Sequence, residues 1–213
     1  MTGLSRRHAL LAIGGAILAA PFTGRRALAQ SDDLSKEMIL NDPAAPIGGN
    51  PKGDVTIVAF LDYNCIYCKK SAPELDRALK EDGKVRLVYK DWPVIRPTSI
   101  DGAKLALGAK YQGKYEAAHR ALMAIPGAGI SKEKMRKALQ AAGIDMQRLD
   151  ADMQARSAEI EAIVRRNMAQ ADALGLTGTP TFLVGPFMVS TLDYKGFRQV
   201  IADARAEQSD GTQ

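Results

Sequence analysis

The chain holds two cysteines, Cys65 and Cys68, separated by Ile66 and Tyr67. Two thiols three positions apart close a loop too small to restrain much of an unfolded chain, so a disulfide between them would be a poor structural brace. Their spacing suits reaction instead. A cysteine at the start of a helix faces unpaired backbone N–H groups and the positive end of the helix dipole, both of which favour a thiolate. Such a setting lowers a thiol pKa from about 8.5 into roughly the 3.5–7.5 range. Cys65 is then the exposed attacking sulfur. Cys68, one turn on and deeper, resolves a mixed disulfide. Lys69 and Lys70 follow, and are read mainly as a solvated helix face because exposed charges act weakly.

A metal site fits these residues poorly. Structural zinc wants four ligands, and beyond the first thirty residues the sequence adds only His119 to the two cysteines as a histidine or cysteine donor. No metal is expected. A second motif, Gly178-Thr179-Pro180-Thr181, stands about 110 residues downstream. A proline entering an exposed strand after a helix suits a tight cis turn. If that turn lies beside Cys65, the backbone of Thr179 can pair with an extended substrate strand.

The elements that must position these groups are legible around them. Residues 54–61, Asp-Val-Thr-Ile-Val-Ala-Phe-Leu, are β-branched and apolar, as in a strand buried on both faces. The pattern then predicts a helix over Lys69–Asp82, kinked at Pro73 and stopped by Gly83. Lys84–Lys90 alternates polar and apolar residues, a second strand. Strand, helix and strand at this spacing predict a parallel βαβ unit. From about Thr98 to Leu174 the composition is that of three to five packed helices. Ser131 is placed as an N-cap, Gly175 as a C-cap, and Leu105, Leu122, Met135, Leu139, Ile160 and Ile163 as core. Thr181–Val184, a Gly185-Pro186 turn and Phe187–Ser190 predict a hairpin, and Tyr194 to about Ala206 a closing helix. The stretch 31–53, with Asn41-Asp42-Pro43 and Gly48-Gly49-Asn50-Pro51, reads as turn and loop.

The first 29 residues differ in kind. Arg6 and Arg7 precede an apolar run from Ala9 to Ala20, and Ala27-Leu28-Ala29 ends the segment. This is the pattern of a secretory signal peptide cleaved after Ala29, with a partial twin-arginine character. The run is shorter than the roughly 20 residues that span a bilayer. Residues 1–29 carry four arginines and no acid, so the net charge of +5 falls to about +1 for the remainder. Charge therefore offers no case for nucleic-acid binding. With 46% hydrophobic and 25% charged residues, the composition is that of a globular protein.

Three segments together carry a family resemblance: Gly49-Asn50-Pro51-Lys52-Gly53-Asp54-Val55, Phe60-Leu61-Asp62-Tyr63-Asn64-Cys65-Ile66-Tyr67-Cys68-Lys69, and Gly178-Thr179-Pro180-Thr181-Phe182. The chain resembles the DsbA-like thioredoxin family, in the bacterial periplasmic branch with a D-Y-N-C-x-Y-C motif, over residues 40–207. The resemblance implies an α/β thioredoxin fold with an inserted all-helical domain between the βαβ unit and the cis-proline loop. The implied layout is a lead-in at 30–53, a thioredoxin-like domain at 54–97 and 176–207, an insertion at 98–175 and a tail at 208–213. It implies Cys65 as nucleophile and Cys68 as its partner, with Thr179, Pro180, Ile66 and Tyr67 at the substrate. The redox-active disulfide takes the place of a cofactor. Implied partners are reduced or unfolded exported proteins and a DsbB-type membrane reoxidant or a reducing partner, for a periplasmic monomer.

Two departures bear on direction. Many relatives carry a buried acid six residues before the first cysteine, where this chain has Ala59. Strong oxidases often have Pro-His between the cysteines, and Ile66-Tyr67 lacks the histidine's charge. A less oxidising couple is expected, since 30 mV is about 1.4 kcal/mol for two electrons. A disulfide isomerase or reductase remains open, favoured by Thr179 before the proline and disfavoured by the short lead-in. So does a chaperone or copper-handling protein that uses the groove without turnover.

Overall fold

The computed structural model describes residues 33–210; the signal segment expected at 1–29 lies outside them. A five-stranded sheet runs in the order β1-β3-β2-β4-β5. Its centre is β2 (Val55–Leu61) and β3 (Val85–Asp91), parallel and in register from Val55↔Val85 to Leu61↔Asp91. Helix α2 (Ile66–Asp82) makes the crossover and ends at Gly83, whose φ of 70° is the left-handed conformation that suits a residue without Cβ. Helix α2 begins three residues earlier than its composition indicates and runs through Pro73 as one helix.

On the other side of β2, β4 (Thr181–Val184) pairs antiparallel and turns into β5 (Phe187–Val189). Between β3 and β4 lie α3 (Pro97–Ala109), a 3₁₀ turn (Lys110–Gln112), α4 (Tyr115–Met123), α5 (Lys132–Ala141), α6 (Met146–Ala155) and α7 (Ser157–Ala173). Helix α8 (Tyr194–Asp210) closes the chain. Ser131 caps α5 by accepting from Lys134 N–H. The core residues named from helical periodicity are all buried.

The two sheet faces are covered differently. Ile57, Ala59, Leu61, Leu87 and Tyr89 face a large core shared with α2, the inserted helices and α8. Val58, Phe60, Val88 and Trp92 face a smaller core with Ile39 and Ala171.

The segment 31–53 is more ordered than its turn-rich composition suggests. It contains α1 (Lys36–Asn41), capped by the Ser35 side chain on Met38 N–H, and β1 (Ile47–Gly49), antiparallel to β3. Long-range bonds fasten it: Arg86 donates to Leu40 O, Gln170 to Asp33 O and Lys110 to Ala44 O. The C-terminal part of β3 also departs from simple alternation. Lys90 and Asp91 are both buried, on opposite sheet faces, so neither polar residue marks a solvent side.

Candidate active site

The C-terminal end of β2 runs into a tight turn, Asp62-Tyr63-Asn64, that delivers Cys65 as the N-cap of α2. Cys65 N–H donates to Asp62 O at 3.1 Å. The Cys65 sulfur accepts from Cys68 N–H at 3.2 Å, filling the place a serine or aspartate oxygen usually takes at a helix start. Across the cleft, the Cys65 thiol donates to Thr179 O at 3.1 Å. The Thr179–Pro180 bond is cis. Thr181 Oγ1 donates to Gly178 O and Ser190 Oγ to Pro180 O, which fix the loop from both ends. The Thr179 hydroxyl is buried and has no hydrogen-bond partner among the described residues.

Both cysteines are thiols in this structure. They are chemically unequal. Hydrogen bonding from the Cys68 side chain holds the Cys65 pKa down at about 6, against the opposing cost of burial, with help from Thr179 and the N–H groups of Cys68 and Tyr67. Burial foremost, then its bond to Cys65 and the nearby charge, pushes Cys68 far above the thiol range. One sulfur is disposed to ionise and the other to keep its proton. Cys65 is only 4% exposed, however, and does not stand open as its helix-start position suggests; the exposed residues are Ile66 at 46% and Tyr67 at 51%. The loop at Thr179 covers the sulfur, while the two intervening side chains form an apolar rim.

The turn is held to the inserted helices by two side chains. Asp62 is buried, and its carboxylate accepts from Asn64 N–H and Ser99 Oγ on one oxygen and from Val94 N–H and Ile95 N–H on the other. Asn64 donates to Thr98 and Ser99 hydroxyls and accepts from Ile130 N–H. Lys69 is not part of a solvated face: its ammonium donates to Ile125 O and Gly127 O.

Sequence reasoning missed a polar cluster below this turn. Tyr115 OH donates to the Asp91 carboxylate, 3.0 Å from each oxygen. Tyr63 OH lies 3.4 Å from Tyr115 OH and 3.1 Å from His119 Nδ1. Burial raises Asp91 to about 7 and lowers His119 to about 3, so this histidine is neutral. The one available signal was a carboxylate at the end of the strand, on the side of its apolar positions Leu87 and Tyr89. Ala59 is fully buried and paired with Tyr89, so no acid stands at that register. Among the described residues no group of three or more His, Cys, Asp or Glu side chains could hold a metal ion. No helix among them is long and apolar enough to cross a membrane.

Comparison with known proteins places this geometry. A family model described as thioredoxin matches residues 41–203. A thioredoxin-like oxidoreductase from Silicibacter pomeroyi is 38% identical, with a TM-score of 0.75, covering 81% of this chain and 98% of that one. The thiol-disulfide exchange protein alpha-DsbA2 from Wolbachia pipientis is 25% identical with a TM-score of 0.73, covering 84% and 97%. Among curated sequences, the Na(+)/H(+) antiporter NhaA 1 of a Mycobacterium species is 29% identical over 141 residues, 65% of this chain and 23% of that protein. The chain thus spans under a quarter of the length of the curated relatives it matches first.

Proposed function

The chain belongs to the thioredoxin family, in its DsbA-like group, and from that premise we propose that it is a thiol–disulfide oxidoreductase that introduces disulfide bonds into exported proteins through Cys65 and Cys68. The observation that carries the reading is the inequality of the two sulfurs: Cys65 held at about 6, Cys68 pushed far up. A stabilised Cys65 thiolate favours the reduced form of the couple, which makes the disulfide form an oxidant.

In the forward direction a substrate thiolate attacks Cys65 of the enzyme disulfide. The Cys65–Cys68 bond breaks, and Cys68 leaves with the electron pair and takes up a proton. A second substrate thiolate then attacks the substrate sulfur of the mixed disulfide, completing the product disulfide and releasing Cys65 as thiolate. Two electrons have passed to the enzyme dithiol. A membrane partner of the DsbB type reoxidises it. No dissociable cofactor is needed, because the couple itself carries the electrons. The substrate lies along Thr179 and Pro180, whose loop meets Cys65 at Thr179 O, with Ile66 and Tyr67 as an apolar contact. The signal pattern of residues 1–29 supports a periplasmic setting.

A second direction has its own observation. The exposed Ile66-Tyr67 pair brings no charge to hold the Cys65 thiolate, which moderates the oxidising power and favours isomerase or reductase work. The test is oxidation of a reduced, unfolded substrate by the disulfide form, together with the reduction potential of the couple. Cys65→Ser abolishes the activity if the reading holds. A potential below about −300 mV belongs to a resistant structural bond and rejects it.

A further inference from the structure

Asp91 is a buried carboxyl group with no cation against it among the described residues. Its neighbours are named by the elements around it. From the β2–α2 turn come Tyr63 and the Asp62 carboxylate; from α4 comes Tyr115, with His119 one phenol further; from α7 comes Asn167, bonded to the Asp91 carbonyl. Tyr89, two residues back on β3, packs its ring against Tyr115 and His119 while its hydroxyl donates to Glu116 of α4. Two phenols favour the carboxylate, while burial and the Asp62 charge oppose it. A buried carboxyl left in this balance is costly as a pure packing element.

Its place in the sheet makes it relevant to the thiols. Asp91 is the register partner of Leu61, and Trp92 N–H donates to Leu61 O at 2.8 Å. Leu61 is the last residue of β2, four before Cys65. By strand alternation Asp91 lies on the face of Leu87 and Tyr89, the face whose core includes Tyr63, Cys65 and Cys68. Relative to Ala59, the Asp91 carboxyl is one strand across and two residues nearer the cysteines. Its phenolic neighbour Tyr63 sits two residues before Cys65 in the turn that delivers the sulfur.

We propose that Asp91, buried on the sheet face of the thiols and bonded by Tyr115, is a positioning residue of the redox site that makes the Cys65–Cys68 couple more reducing when ionised. The inference rests on the reading that this couple is redox-active. The sign follows from charge. An ionised Asp91 opposes a Cys65 thiolate in a low-dielectric interior and so disfavours the dithiol form. A protonated Asp91 does not.

The experiment measures the thiol–disulfide equilibrium of the wild-type protein and of Asp91→Asn against glutathione from pH 5.5 to 8.5. Asparagine keeps the shape and removes the titration. The equilibrium constant for reduction of wild type, divided by that of the variant, falls about fivefold as pH rises through 7, the effect of roughly 1 kcal/mol of repulsion. A pH-independent ratio overturns the proposal. Tyr115→Phe gives a second reading if the asparagine variant does not fold. It keeps the carboxyl and removes a donor that favours its ionisation, so the step moves to higher pH; an unmoved or missing step again overturns the proposal. A purely structural Asp91 changes stability in either variant without a pH-dependent ratio. If wild type shows no exchange with glutathione at all, it is the functional reading that fails; a working couple with a flat ratio removes only the role of Asp91.

Discussion

The Cys68 N–H donates to the Cys65 sulfur at 3.2 Å, so the residue that caps helix α2 is also the one with the lowered thiol pKa. Helix start and reactive group are one atom. The absorbance of the reduced protein near 240 nm therefore titrates with one thiolate at a midpoint of about 6. Cys65→Ser removes this signal. Cys68→Ala loses the side-chain hydrogen bond that contributes most to the shift, and its Cys65 midpoint rises; mixed with a disulfide substrate, the same variant attacks it through Cys65, releases one substrate thiol and accumulates the mixed disulfide because nothing resolves it. A midpoint near that of a free thiol, about 8.5, would contradict the hydrogen-bond account.

Asp62 joins the redox turn to the segment after β3 through a single carboxylate with four donors. Asp62→Asn keeps the volume but turns one oxygen into a donor facing other donors. Removing part of a buried charged acceptor costs about 2–4 kcal/mol. The loss is measured by denaturant unfolding. Hydrogen exchange localises it: the Val94 and Ile95 amides lose protection first. If those two amides stay as protected as in wild type while stability falls, the clamp is not what Asp62 provides.

Much of this site is legible in the chain because its signals are local. The apolar run 54–61, the cysteine spacing and the Gly178–Thr181 motif each need only near neighbours, and the structure brings Cys65 and Thr179 together. What escaped is long-range. Lys90 reads as the polar side of an alternating strand, yet it is buried because Met38 O and Asp42, some fifty residues earlier, meet its ammonium. Asp42 in turn needs Arg166, 124 residues later. Helix α1 has six residues, too few for a periodic signal, and its order comes from docking. Asp62 shows no local sign of its role, because its four donors come from three separate stretches.

The Lys90–Asp42–Arg166 cluster gives an asymmetric prediction. Lys90 and Asp42 side chains are fully buried at 3.4 Å, and Arg166 Nε reaches Asp42 at 2.9 Å. Burial lowers the Lys90 pKa to about 8. Lys90→Met removes a costly buried charge and leaves Asp42 paired to Arg166, so its stability changes by less than about 1 kcal/mol or improves. Asp42→Asn leaves the buried Lys90 ammonium without a counter-charge, while Arg166 keeps Asp33 at 3.4 Å, and costs about 3–5 kcal/mol. Urea unfolding of both variants checks the order. A Lys90→Met loss as large as that of Asp42→Asn would show the ammonium to be the essential partner.

The stability of the reduced protein relative to the oxidised one rises from about pH 6, reaches a maximum near pH 8.5 and falls above it. Cys65 has a folded pKa of about 6, below the value of about 8.5 for a free thiol. A depressed pKa contributes stability that is fully present above the unfolded value and lost as pH falls through the folded one. Between those limits the reduced form gains about 3 kcal/mol at most, from the size of the shift. Cys68 works the other way, because its folded pKa is raised. Above about 8.5 its thiol ionises only when unfolded, which draws the reduced protein toward unfolding. Neither term exists in the disulfide form, Lys90 is common to both, and the Asp91 effect proposed above enters the difference only as roughly 1 kcal/mol, removed by making the comparison in Asp91→Asn. Unfolding midpoints of the two forms, measured in parallel from pH 5 to 10, isolate the thiol contribution. A difference that stays constant with pH would mean that Cys65 keeps an ordinary thiol pKa in the folded protein, and the oxidising direction would lose its physical basis.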